Sequence, residues 1–305
     1  MAEVKQKIVP CLWFDMNCEE AVNFYVSLFP NSKIIFIKRY GKGMQTPGIE
    51  KMEGKILTAI FELAGYKFMA LDGGPIFKFN PSISFHVKCQ TKEEVDALWE
   101  KLSKGGKILM PLDSYPFSER FGWCEDKYGL SWQVIFTPDF KDQKFTPALM
   151  FVQENAGKAE EAANFYTSVF KNSKSEILMR YGKGEKPEKE GTIKYAKLVL
   201  ESQEFGVMDS AMEHKFNFNE AISFYVECAD QDEVDYFYKA LSAVPESEIC
   251  GWLKDKYGVS WQIIPKRLGE LLSDSDKEKA NRAMNAMLQM KKIDIAKLEE
   301  AYEGK

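Results

Sequence analysis

The chain carries two histidines, His86 and His214, so a histidine-rich metal cage cannot be built within it. His86 sits in the run SFHVKC, where an imidazole titrating near neutrality would suit a general base. His214 falls in Met212 to Phe216, without a periodic partner, and reads as a surface residue. Six cysteines (Cys11, Cys18, Cys89, Cys124, Cys228, Cys250) include no C-x-x-C pair and no histidine at zinc spacing. They read as reduced, mostly buried thiols. Gln133 and Gln262 occupy equivalent places in two similar segments. A side-chain amide both donates and accepts, so each could orient a carbonyl or amide ligand or simply close a cross-strand hydrogen bond. Trp123 and Trp252 recur likewise, as do Trp132 and Trp261. They read as core, with Trp123 and Trp252 also able to line a cavity. No Walker loop, G-x-S-x-G elbow, H-E-x-x-H motif or evident Cys–His pair is present, which sets aside the chemistries those motifs perform.

The elements that must position these residues come in a tandem repeat. Gly122 to Ile135 (GWCEDKYGLSWQVI) matches Gly251 to Ile264 (GWLKDKYGVSWQII) at ten of fourteen positions. Upstream, EEAVNFYVSLF from Glu19 matches EEAANFYTSVF from Glu160, RYGKG occurs at Arg39 and Arg180, and SFHVKC at Ser84 matches SFYVEC at Ser223. The same landmarks in the same order mark a duplicated unit of about 130 residues. The seam falls in Pro138 to Lys144. Domains are expected at 1–140 and 141–266, with a tail at 267–305.

Each repeat splits again. Ile8 to Phe14 reads as a strand, and Asn17 is placed to cap a helix carrying Ala21, Val22, Tyr25 and Leu28 at helical spacing. Ile34 to Tyr40, Ile56 to Leu63 and Tyr66 to Asp72 read as strands. The order then restarts with Ser82 to Cys89, a helix opened by Thr91 and Glu94 as a capping box, and strands at Ile108 to Leu112, Phe121 to Glu125 and Ser131 to Phe136. The unit is strand–helix–three strands, four times over, in the α+β class. Leu102 to Trp123 is 21 residues, whereas Leu241 to Trp252 is 11. The strand after the last helix is therefore expected to be cut down. In the tail, Ser273 is expected to cap one helix and Asp294 a second, docking on the domain.

Composition agrees. The 305 residues suit two domains, and 45% apolar with 29% charged residues suits a globular chain. A net charge of −5 excludes binding to nucleic acid by phosphate neutralisation. No run reaches the ~18 apolar residues of a membrane span, and no signal-peptide core follows Met1. A cytoplasmic location is expected.

The repeated βαβββ order, with FY near the end of the first helix and D-x-[FY]-G-x-x-W-x before the last strand, resembles the vicinal oxygen chelate (glyoxalase/bleomycin-resistance) superfamily. P-x-L-x-F, EEA-x-NFY, DKYG-x-SWQ and MKKIDIAKLE resemble its PhnB-like branch, which also carries the label demethylubiquinone methyltransferase-like. The resemblance implies paired modules whose sheets form a cup, with ligand on the concave face and helices on the other. Metal-using members place ligands on the first, fifth and last strands. The matching positions here are Pro10, Ser82 with His86, and Gln133, then Pro147, Ala221, Tyr225 and Gln262. Neither repeat keeps a full ligand set.

Two functions are consistent with this reading. One is a metal-free binder of a small, aromatic molecule, with Gln133, Trp123, Ser84, Phe14, Tyr225, Gln262 and Trp252 lining the cup. The other is a metal-dependent or His-assisted lyase or isomerase in the first repeat, with His86 catalytic and a weak divalent site shared by His86 and Gln133. Methyl transfer has no support, because GKGMQTPG (41–48) and GKGEKPEKEG (182–191) join strand to strand rather than strand to helix. Duplication lets the repeats pair as a pseudo-dimer within a monomer, a homodimer being the alternative.

Overall fold

The computed structural model describes residues 6–41, 52–140 and 143–305. Residues 42–48 of the first glycine-rich loop, and residues 141–142 of the expected seam, lie outside them. The first module runs β1 (Ile8–Phe14), α1 (Cys18–Leu28), β2 (Lys33–Arg39), β3 (Ile56–Leu63) and β4 (Tyr66–Asp72). The second runs β5 (Ile83–Cys89), α2 (Lys92–Ser103), β6 (Lys107–Tyr115), β7 (Ser118–Glu125) and β8 (Ser131–Phe136). The third repeats the order with β9 (Phe145–Phe151), α3 (Ala159–Val169), β10 (Lys174–Arg180), β11 (Ile193–Leu200) and β12 (Gln203–Asp209). The fourth keeps β13 (Ile222–Cys228), α4 (Gln231–Leu241), a three-residue β14 (Trp252–Lys254) and β15 (Ser260–Pro265). A 3-10 turn at Pro245–Ser247 stands where the other modules have a strand, as the shortened spacing predicts.

Two compact units emerge, residues 10–222 with Gln6, and residues 7–9 with 223–305. In the first, the second and third modules share one eight-stranded sheet ordered β10-β11-β12-β9-β5-β8-β7-β6. At its centre β5 runs antiparallel to β9, with His86 opposite Thr146, and parallel to β8, with His86 beside Gln133. The same unit contains the run β1-β4-β3-β2, and the second unit contains β14-β15-β13.

Strand alternation sorts the eight-stranded sheet into two faces. Phe85, Val87, Trp132 and Val134 are fully buried on one. Gly122, opposite Val134, lies so close beneath Trp99 of α2 that an added Cβ would meet its ring at 2.5 Å. Phe85 also packs on Phe68, and Phe68 on Phe145, at 5.2 and 5.5 Å between centroids. Ser84, His86, Ser131, Gln133, Trp123 and Thr146 lie on the other face. The connections leading into β5 and β13 mirror each other. Asn80 Nδ2 donates to the Asn217 carbonyl at 3.0 Å, and Asn219 Nδ2 to the Lys78 carbonyl at 2.8 Å.

Helix starts differ from expectation in three places. The Asn17 side chain makes no cap; the Asp72 carboxylate at the end of β4 accepts the Cys18 N–H at 2.9 Å instead. A short-range pattern cannot reveal a cap 54 residues away in sequence. Thr91 does accept from the Glu94 N–H, while Glu94 reaches back to Gln90 N–H rather than to the cap residue. The tail holds three helices, α5 (Lys266–Leu272), α6 (Lys277–Met287) and α7 (Ile295–Glu303). Ser273 ends α5, and Asp276 caps α6, because its carboxylate reaches the Glu278 and Lys279 N–H groups. Asp294 caps α7 through Lys297 N–H.

These helices dock within the second unit. Leu268, Leu271, Ala283, Ile293 and Leu298 bury against Ile264 of β15, with Tyr225 of β13 packed on the same cluster. The tail also fills part of the gap left by the missing strand. Cys250 and Gly251 donate backbone N–H groups to Met290 and Lys291 at 2.8 and 2.7 Å.

Candidate functional site

Most of the repeated motif residues hold the frame. In D-K-Y-G-x-S-W, the buried Asp126 carboxylate accepts Trp132 Nε1–H and Tyr25 Oη–H, both at 2.8 Å, and the Tyr128 and Leu130 N–H groups. Burial raises its pKa against the pull of those four hydrogen bonds. Asp255 repeats the arrangement with Trp261, Tyr257 and Val259. Asp209 accepts the Gly157, Ala159 and Ile193 N–H groups, as Asp72 accepts Cys18 and Ile56. Arg39 and Arg180 clamp Glu19 and Glu160 with two hydrogen bonds each. These last pairs are exposed and contribute little.

What the frame positions is the polar face around His86. The ring is 9% exposed and packs nearly parallel to Tyr195 of β11, 5.5 Å between centroids. Tyr195 Oη lies 3.4 Å from His86 Nδ1. It rests over Gly206 of β12, where an added Cβ would stand 2.9 Å from Oη, so the glycine leaves the space the phenol occupies. Gln133 Nε2 donates to Ser84 Oγ at 2.8 Å, and Trp123 Nε1 to Ser131 Oγ at 2.8 Å. His86 Nε2 and the Thr146 hydroxyl are both buried without a hydrogen-bond partner. Lys88 on the same strand pairs with Glu204, which also holds Lys197. These two lysines keep the Glu204 carboxyl below its usual range although burial acts to raise it.

Burial, helped by the Lys88 charge, pulls His86 down to about 4, with Gln133 acting in the opposite sense. The imidazole is therefore neutral at pH 7. That corrects the expectation of near-neutral titration: a lone histidine between sheet and aromatic ring loses too much hydration to stay charged.

The remaining predicted residues fall as follows. Trp123 is half-buried on this face, opposite Gln133. Phe14 is buried edge-on against Phe79 and Tyr128, on the apolar side of its strand with Leu12 and Pro10. Pro147 is likewise opposite Phe85, so on β9 the polar face carries Thr146 and Ala148 instead. Gln262 Nε2 donates to Ser223 Oγ at 2.9 Å, repeating the Gln133–Ser84 pair, and Trp252 stands opposite Gln262. Tyr225, the counterpart of His86, is packed by the tail. His214 is half-buried rather than on the surface, its Nε2 2.9 Å from Ser210 Oγ, because its loop folds back on the end of β12. The sequence reading missed Tyr195, Thr146, Lys88 and Glu204. Three of these come from the third module and join the site only because β9 pairs with β5.

The chain matches the family described as 3-demethylubiquinone-9 3-methyltransferase twice, over residues 6–135 and 143–264. No curated protein matches it. Among solved structures, a Bacillus cereus PhnB protein titled as a 3-demethylubiquinone-9 3-methyltransferase is 47% identical; the match covers 43% of this chain and 100% of that one, with a TM-score of 0.40. A Pseudomonas aeruginosa protein is 25% identical over 44% of this chain and 100% of its own, TM-score 0.39. Glyoxalase I from Zea mays is 11% identical over 76% of this chain and 80% of its own, TM-score 0.48. The two family matches, one per repeat, coincide with the four βαβββ modules, and the chain belongs to this family, carried in tandem.

Proposed function

We propose that the chain binds a small, planar, aromatic molecule on the His86 face without a tightly bound metal ion. The observation that carries this is the buried, neutral His86, stacked by Tyr195 and left with an unpartnered Nε2. Such a group presents an aromatic surface and one directional hydrogen bond, which is what a ligand pocket offers. The donor set fits a divalent metal poorly. It holds one imidazole, the neutral amide of Gln133, and a carboxylate, Glu204, already held by two lysines. Metal sites prefer several anionic or imidazole ligands together.

Methyl transfer, in the name of the related proteins, finds no support in the described segment 182–191, which links β10 to β11 rather than a strand to a helix. The packing of the tail on Tyr225 supports the His86 face, rather than its counterpart, as the proposed site. None of the six cysteines forms a disulfide, which fits a reducing, cytoplasmic setting. The reciprocal Asn80 and Asn219 contacts favour a monomer whose repeats pair internally.

Elemental mass spectrometry on protein purified without an affinity tag or chelator should find no stoichiometric transition metal. Planar aromatic compounds should raise its melting temperature, and His86→Ala should remove that rise. One nickel, zinc, iron or manganese per chain would overturn the metal-free reading and favour a lyase or isomerase, in which His86→Ala abolishes turnover.

A further inference from the structure

We infer that His86 Nε2 and Thr146 Oγ1 are a pair of hydrogen-bond donors for one oxygen of the ligand, which is therefore a carbonyl or carboxylate compound. The inference rests on the binding function proposed above and narrows its ligand class. The two residues are directly opposite on β5 and β9, so their side chains are neighbours on one face. They are 9% and 2% exposed, and neither Nε2 nor Oγ1 has a partner. Buried polar atoms are almost always paired, so two orphans side by side mark a place completed by something else.

Their polarity follows from the neighbours. Tyr195 Oη lies 3.4 Å from Nδ1 and has the hydroxyl proton to give it. A phenol donating to Nδ1 puts the ring proton on Nε2, which then donates. Thr146 has no acceptor of its own and donates through its hydroxyl. Two donors and no acceptor suit an oxygen with two lone pairs. The Lys88 and Lys197 ammonium groups flank Glu204 alone, leaving one positive charge in excess for a carboxylate.

Thr146→Val separates the proposal from a merely structural role, because it removes the hydroxyl and keeps the shape. In the unliganded protein it should raise the melting temperature by about 2–4 °C, since an unpaired buried hydroxyl is lost. The same variant should bind acetophenone and benzoate about tenfold more weakly. Wild-type protein should bind α-methylstyrene, the hydrocarbon isostere of acetophenone, about tenfold more weakly than acetophenone. The imidazole 15N signals of His86 should report a protonated Nε2, shifted by acetophenone.

Equal affinity for acetophenone and α-methylstyrene at His86 would overturn the donor pair while leaving the binding face intact. A higher melting temperature in Thr146→Val with unchanged probe affinity would mean that a water, not a ligand, fills the place, and would overturn it too. A proton on Nδ1 would also overturn it. Binding of none of the three probes would overturn both the pair and the aromatic-binding function.

Discussion

Asp126→Ala is expected to lower the unfolding free energy by about 3–5 kcal/mol. The carboxylate is 2% exposed and is the acceptor for Trp132, Tyr25 and two turn amides. Alanine leaves all four donors buried without an acceptor, and each orphan costs about 1–3 kcal/mol before the site relaxes. Tyr25→Phe removes one of the four and should cost about 1 kcal/mol. Chemical denaturation of both variants checks the ratio. A loss below about 1 kcal/mol for Asp126→Ala would show that water replaces the carboxylate.

The second large effect is a pH dependence. His86 is neutral in the fold, pulled down to about 4 from a reference value of 6.5. Between those values the unfolded chain binds a proton that the folded chain does not, so stability falls as pH falls from 6.5 towards 4 and is level above it. The shift corresponds to roughly 3 kcal/mol. His86→Gln keeps a polar group and removes the titration, so its stability relative to wild type should improve by roughly 3 kcal/mol between pH 7 and pH 4. Asp72, Asp126 and Asp209, which burial shifts upward, act in the opposite sense. They are common to both proteins and cancel in the difference. Denaturation midpoints for the two proteins at matched pH measure it. Parallel curves would show that His86 is solvated.

The frame was legible because its signals are local or repeated. Alternation placed Gln133 with Ser131 and His86 with Ser84, and helical spacing placed Ala21, Val22 and Tyr25 on the buried side of α1. The 11-residue gap before Trp252 gave away the missing strand. The roles of the repeated residues were less visible, since Asp126 and Asp72 act on groups up to 101 residues away. The site was half legible. His86, Ser84, Gln133 and Trp123 belong to one module and were read together. Thr146 and Tyr195 belong to the next module, and no pattern within one repeat states that β9 lies against β5. The neutral state of His86 was hidden as well, because it depends on the ring of Tyr195 and the charge of Lys88.

With only His86 and His214 in the chain, a long-range 1H–15N spectrum of the imidazoles reads the proposed binding face directly. It would be recorded on metal-free protein with and without an aromatic compound that raises the melting temperature. The His86 signals should move on binding while those of His214 stay in place. Saturable binding that leaves His86 unmoved would contradict the assignment of this face as the ligand site.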